Sequence, residues 1–345
     1  MIEPKNLLIV RTDRVGDVVL TLPLAGIVKK YYPECRVTFM VKSYTKSLAE
    51  GHPFIDEILV SEETAGKLSF FGNIKLIEKY KFDTAIVVNP TFLSSLILFF
   101  SGISNRIGTG YRWYSLLFNY KSYVHRKFGE HHELEFNTDL LKFLGIEEKV
   151  KPGEVNFNLQ IDKGSSDRVQ TILKVKGVDL KKPVIIVHPG SGGSAVDLPG
   201  ETMKDVIKLI GSNLKAEILI TGTKAEIALC SEMHIAGMTK NLAGMFNLSE
   251  LTTLINYSDI FIANSTGPLH IAAALGKFVI GFYPKIAACS KERWGPYSDK
   301  SYVFTPNLDC TNCTREQCER LNCMSSIKSG DIFTKVENFY KFIVK

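Results

Sequence analysis

A chain of 345 residues is longer than one ordinary core supports, so about two domains are expected. With 45% apolar and 23% charged residues it reads as globular and excludes bulk disorder. The net charge of +6 suits an anionic substrate or a membrane surface, but it is too weak and too scattered for a nucleic-acid footprint.

The N-terminus, MIEPKNLLIV, lacks the basic start, long apolar region and cleavage site of a signal peptide. Residues 7–10 (LLIV) read as a buried first strand, followed by a turn over 11–17 and a helix from near Val18. Further strands are expected over 37–41, 58–60 and 84–88. The longest apolar run, 92–103, falls short of the ~20 residues a spanning helix needs. It reads as a buried helix, with a membrane-touching face as the alternative. A cytoplasmic protein is therefore expected, with peripheral contact at the inner face of the cytoplasmic membrane as an option.

A second series of strands begins at 184–187 and continues at 217–221, 260–263 and 279–282. Between the series lies the polar stretch 162–167, with the composition of a linker or helix start. Strands alternating with helical stretches of about 10–15 residues indicate an α/β fold with parallel sheets. The expected domains are 1–170, 171–328, and a C-terminal helix over 329–345 that packs back on one of them. Two such halves imply a ligand cleft.

Three loops follow predicted strands, where open parallel sheets place their ligands. The first, Thr12-Asp13-Arg14-Val15-Gly16-Asp17, puts an acid beside a glycine. Asp17 is read either as a reactive carboxylate or as an ordinary acid at a helix N-terminus. The second is His188-Pro189-Gly190-Ser191-Gly192-Gly193-Ser194. Small residues there let several backbone N–H groups face one anion, although any loop can have this composition. The third, Asn264-Ser265-Thr266-Gly267-Pro268-Leu269-His270, places hydroxyls, a glycine and a first-turn proline at a helix start. It is a diphosphate seat or a plain Ser/Thr cap, and His270 is a ligand-site or a core histidine.

Taken together, the run IVRTDRVGDVVLTLP, then VHPGSGGS, then ANSTGPLHIAAALG followed by GFYP, resembles the ADP-heptose:lipopolysaccharide heptosyltransferases. Supporting patches are Arg106-Ile107-Gly108, His131-His132-Glu133-Leu134-Glu135 and Asn241-Leu242-Ala243-Gly244. The resemblance implies a GT-B architecture of two facing Rossmann-like domains, acceptor on the first and nucleotide sugar on the second. It implies Asp17 as catalytic base, and Arg11, Arg14 and Arg106 toward an anionic glycan or glycolipid acceptor. Donor binding is implied for Gly190, Ser191, Gly192, Gly193, Ser194, Thr221, Ser265, Thr266, Gly267 and His270, with Glu226 toward the nucleoside. The chain departs from the family pattern at Ser265, where an acid is common, and at Val196, where a lysine is common.

Cys310, Cys313, Cys318 and Cys323 lie within fourteen residues. The spacing fits a structural zinc ion; iron–sulfur ligation, two disulfides and free thiols are the other readings. A closed four-thiolate site has no open position, so the cluster is not read as catalytic. No cofactor is expected for catalysis.

The expected activity is inverting, metal-independent transfer of a heptose or related sugar from an ADP-linked donor to a lipopolysaccharide core or other envelope glycan. The alternatives are a nucleotide-sugar-binding homologue with impaired catalysis, and a different two-domain enzyme such as a nicotinamide-dependent oxidoreductase. The absence of a Gly-x-Gly-x-x-Gly run after the first strand counts against the latter.

Overall fold

The computed structural model describes residues 2–308 and 313–345. The chain forms two compact units: residues 1–126 with 133–160, and residues 127–132 with 161–345. The second unit thus begins at Ile161 rather than 171, and it includes a short segment from the first half.

In the first unit β1 (Asn6–Val10) leads through α1 (Val15–Val19) and α2 (Pro23–Tyr31) to β2 (Arg36–Val41) and β3 (Glu57–Val60). A small hairpin, β4 (Glu63–Thr64) and β5 (Lys67–Leu68), precedes α3 (Phe70–Glu78), β6 (Thr84–Val87), α4 (Phe92–Phe100), β7 (Asn105–Thr109), β8 (Tyr120–Ser122) and α5 (Glu133–Thr138). The main sheet is parallel with order β3-β2-β1-β6-β7-β8. Leu7 to Val10 are buried on both faces, which is why β1 reads as a continuous apolar run rather than an alternating one. Each such side chain contributes roughly 1.5–3 kcal/mol of burial, enough to fix β1 at the centre.

The second unit repeats the plan. It runs α6 (Lys163–Val175), β9 (Val184–His188), α7 (Gly200–Asn213), β10 (Glu217–Ile220), α8 (Ile227–Met233), β11 (Thr239–Asn241), α9 (Leu248–Asn256), β12 (Ile260–Asn264), α10 (Gly267–Ala274) and β13 (Phe278–Phe282). It closes with α11 (Lys291–Trp294), β14 (Ser301–Phe304), α12 (Arg315–Arg320) and α13 (Ser329–Ile343). The order is β11-β10-β9-β12-β13-β14, again parallel. The C-terminal helix α13 packs back as expected: Ile332 and Val336 enter the second core, and Phe339 stacks on Phe278 at 4.7 Å.

In both sheets the strand order reverses beside the first strand, between β1 and β6 and between β9 and β12. Loops leaving these strands diverge and leave a crevice at the C-terminal ends, where doubly wound sheets hold ligands. The three loops singled out from the sequence all leave β1, β9 or β12.

Two expectations need correction. Helix α1 starts at Val15, so Asp17 lies inside its first turn rather than ahead of it. The apolar run from Phe92 forms a helix that is only half buried: Ser94, Ser95, Ile97 and Leu98 are covered, whereas Phe92, Phe99 and Phe100 stand exposed.

Candidate active site

In the first unit the chain leaves β1 directly into Arg11, whose side chain is 1% exposed. A buried guanidinium requires counter-charges, and here it has three. Arg11 Nε lies 3.1 Å from Asp13 Oδ2, one terminal nitrogen bonds Asp17 Oδ1, and the same nitrogen lies 3.5 Å from Glu133 Oε1. Glu133 arrives from α5 and is shared with Arg126. Asn137, one turn further on α5, donates to Leu20 O at 3.0 Å and to Thr21 Oγ1 at 3.3 Å, while Thr21 donates to Asp17 O at 2.8 Å. The backbone carrying Asp17 is thereby tied to α5.

Asn89, in the loop after β6, donates to Asp13 Oδ2 at 2.9 Å, so the loops of the two switch-point strands meet. Burial pushes the Asp17 carboxyl above its ordinary range; Arg11 opposes the shift, and Asp13 and Glu133 add to it. A partly desolvated carboxylate with raised basicity is suited to accept a proton. Of the three arginines expected to meet an acceptor, Arg14 is exposed. Arg11 and Arg106 are instead committed within the unit. Arg106 Nε donates to Leu117 O at 2.8 Å, and its guanidinium lies over the Phe99 ring.

In the second unit the strand β9 ends at His188, buried with Nδ1 2.9 Å from Thr221 Oγ1. Burial pushes this imidazole down to about 4, against the opposing pull of Glu226. The glycine loop that follows turns through Gly192 and Gly193, both at positive φ, and folds over Glu226. A methyl group added at Gly190 would sit 1.9 Å from Glu226 Oε1, so only glycine allows this approach. Burial opposes ionisation of Glu226. The Thr223 amide and hydroxyl, His188 and the Gly192 amide outweigh it and hold the carboxyl below its ordinary range. Gly190 and Gly192 are thus brought to Glu226, with Thr221 held on His188. The Gly192 amide, however, faces an acid of the chain itself.

The third loop completes this half. Asn264, fully buried at the end of β12, accepts from Leu198 N at 2.9 Å and donates to Pro189 O at 2.6 Å. It clamps both ends of the glycine loop, a role the sequence reading missed. The available signal was a polar side chain ending an otherwise apolar strand, which must find partners when buried. Thr266 caps α10 in extended conformation without a side-chain bond, and Pro268 occupies the first turn. The leading amides of α10, at the half-exposed Gly267, retain the partial positive charge of a helix N-terminus. His270 is a core histidine: burial and then His132 push it down to about 3. His132 itself bonds Gly295 O at 2.7 Å. Ser265 is buried beside Tyr283.

Val196 is not an open seat for a lysine. It packs against the second core and against Cys313, Cys318 and Cys323. A cation reaches the glycine loop by another route, because Arg315 of α12 donates to Gly193 O at 3.1 Å and Ala195 O at 3.0 Å. Cys313, Cys318 and Cys323 are buried together as free thiols, and burial plus its two neighbours push Cys318 up to about 12. Cys310 lies outside the described residues. Among the described residues no group of three or more His, Cys, Asp or Glu is arranged to hold a metal ion.

The model of glycosyltransferase family 9 (heptosyltransferase) matches residues 73–324, about three quarters of the chain. The chain belongs to glycosyltransferase family 9. Among relatives of this family 9 protein, a Haemophilus influenzae glycosyltransferase is 29% identical over 88% of this chain and 89% of its own length. Lipopolysaccharide heptosyltransferase 3 of Escherichia coli is 23% identical over 93% and 95%. The solved structure of the E. coli ADP-heptose lipopolysaccharide heptosyltransferase II superposes with a TM-score of 0.78 at 18% identity, over 99% of this chain and all of that one. The fold is that of the GT-B heptosyltransferases, and the family 9 protein is a glycosyltransferase. Among its described residues no helix is long and apolar enough to cross a membrane.

Proposed function

We propose that this glycosyltransferase moves a heptose or related sugar from an ADP-linked donor to a hydroxyl of a lipopolysaccharide core or similar envelope glycan, with inversion and without a catalytic metal. The observation that carries the reading is Asp17, a carboxylate at the switch point of the first sheet whose basicity is raised by burial and by Asp13 and Glu133. Asp17 takes the proton of the acceptor hydroxyl as that oxygen attacks the anomeric carbon. The bond from that carbon to the diphosphate oxygen breaks on the opposite face, and the nucleoside diphosphate leaves with the electron pair. Arg11 orients Asp17 from behind and is a positioning residue, not an acceptor ligand. The amides of α10 at Gly267 meet the developing charge of the leaving diphosphate. Glu226, with its acceptor oxygens beside the glycine loop, suits hydroxyls of the nucleoside rather than a phosphate. The sequence contains no Asp-x-Asp triplet to clamp a divalent ion, which supports charge stabilisation by backbone donors.

The test is Asp17→Asn, which keeps shape and removes basicity. Turnover with ADP-heptose and an isolated lipopolysaccharide-core acceptor should fall at least ~10²-fold, with donor affinity and melting temperature retained. Near-normal turnover in a folded variant removes Asp17 as the base.

A further inference from the structure

Helix α4 sends Ile97 and Leu98 into the first core, yet its other side is apolar as well. It buries Ser94 and Ser95, whose hydroxyls bond back to Thr91 O, and turns Phe92, Phe99 and Phe100 to solvent. Beside it, Trp113 and Leu116 on the turn Trp113–Leu117 are 72% and 71% exposed, and Phe71 at the start of α3 is 73% exposed. Ring contacts join most of these side chains in two groups. The Phe92 ring lies 4.7 Å from Trp113, Phe99 lies 5.5 Å from Phe100, and Phe70 bridges Phe100 at 5.9 Å and Phe71 at 5.0 Å. Both groups include residues of α4 and form an exposed apolar cluster, where scattered exposed residues would need no explanation.

Charge on α4 and the segment that follows it has one sign. From Thr84 to Gly129 the chain contains no Asp or Glu. Within that stretch the Arg106 guanidinium sits over Phe99 at 5.2 Å, Arg112 is exposed directly before Trp113, and Lys121 follows. Glu62 lies at the Phe71 end, beside Gly72. A band of Trp and Phe with a basic border matches the headgroup–acyl boundary of an anionic bilayer. At nine residues α4 lies on such a surface and does not span it.

We propose that α4, the turn at 113–117 and Phe71 form a docking surface for a bilayer containing anionic lipids. The rings would enter the acyl boundary while the exposed Arg112 stays at the phosphates. The inference deepens the proposed function by placing the enzyme where a lipid-borne acceptor lies. Its test needs no donor or acceptor, so it fails or stands separately from that reading.

The full chain is sedimented with vesicles of phosphatidylcholine alone or mixed with phosphatidylglycerol. Binding is expected only to the mixed vesicles, weakening as salt rises. It should fall at least ~10-fold in Phe100→Ser/Trp113→Ser/Leu116→Ser, whose fold is checked by circular dichroism. As a second measurement, lipids brominated in the acyl chain should quench tryptophan emission of the parent but not of Trp113→Phe. The remaining Trp294 is held by its indole N–H on Ala288 O. No binding to anionic vesicles, or parental binding by the folded triple variant, overturns the proposal. A dimer in sedimentation velocity that the triple variant abolishes, with no vesicle binding by the parent, also overturns it and gives the face to a second copy of the chain.

Discussion

Arg11 holds three carboxylates at once, and Arg126 shares one of them, Glu133. Burial above all, with the like charges of Asp13 and Glu133, keeps the basicity of Asp17 high against the pull of Arg11. Asp13→Asn removes one like charge and frees Arg11 for Asp17, and both effects lower the Asp17 pKa. The acidic limb of kcat/KM should therefore move to lower pH in Asp13→Asn; a limb that stays or moves up contradicts the electrostatic account. At the other loop, Gly267→Val places a branched side chain where a phosphate would approach the α10 amides. Losing one or two such contacts should weaken ADP binding about tenfold, read by calorimetry on folded protein. Unchanged affinity puts the diphosphate elsewhere. The positions of Asp17 and Gly267 were legible in the sequence because each lies in the first turn of a helix that follows a buried strand. The roles of Arg11 and Asn264 were not, since each depends on partners brought by distant segments: Glu133 for Arg11, Leu198 and Pro189 for Asn264.

The elements divide along similar lines. Central strands announced themselves as apolar runs because both faces are covered. The outer strands β7, β8, β11 and β14 did not: NRIGT, YKS, TKN and SYVF carry polar residues or are only three or four residues long. Sheet order depends on pairing, so it was not readable at all. The cysteine-rich segment was legible as a cluster, and Cys313, Cys318 and Cys323 do converge, enclosed by Val196 and Ile286. Three desolvated sulfurs are unfavourable as bare thiolates and favourable once a soft divalent cation replaces their protons. The expectation carried from the spacing is about one zinc per chain in protein purified without added metal, lost in Cys318→Ser. Metal-free protein with freely titrating thiols refutes it. Such a brace would act on the glycine loop, because α12 reaches that loop through Arg315.

At the scale of the whole molecule, buried histidines set the response to acid. His52 in the first unit is pushed down to about 4, and in the second unit His188 and His270 are pushed down to about 4 and about 3, each chiefly by burial. A folded-state histidine pKa below the unfolded value of ~6.5 means that the unfolded chain binds the proton first. The associated stability is complete above about pH 6.5 and is lost as pH falls toward 4. At pH 5 each of the three contributes a loss of about 2 kcal/mol. Asp17 and Asp197 work in the opposite direction, since burial raises both and protonation relieves it. The unfolding free energy should therefore drop between pH 6.5 and 5, ahead of the range where ordinary carboxylates protonate. His188→Asn retains a hydrogen-bonding partner for Thr221 and removes one titration, so its denaturant-unfolding free energy should fall less steeply over that interval. With two of the three histidines, the second unit should also be the first to gain hydrogen-exchange rate, beyond the intrinsic pH effect. Equal loosening of both units, or a flat stability curve from pH 7 to 5, would show that these imidazoles reach protons without unfolding.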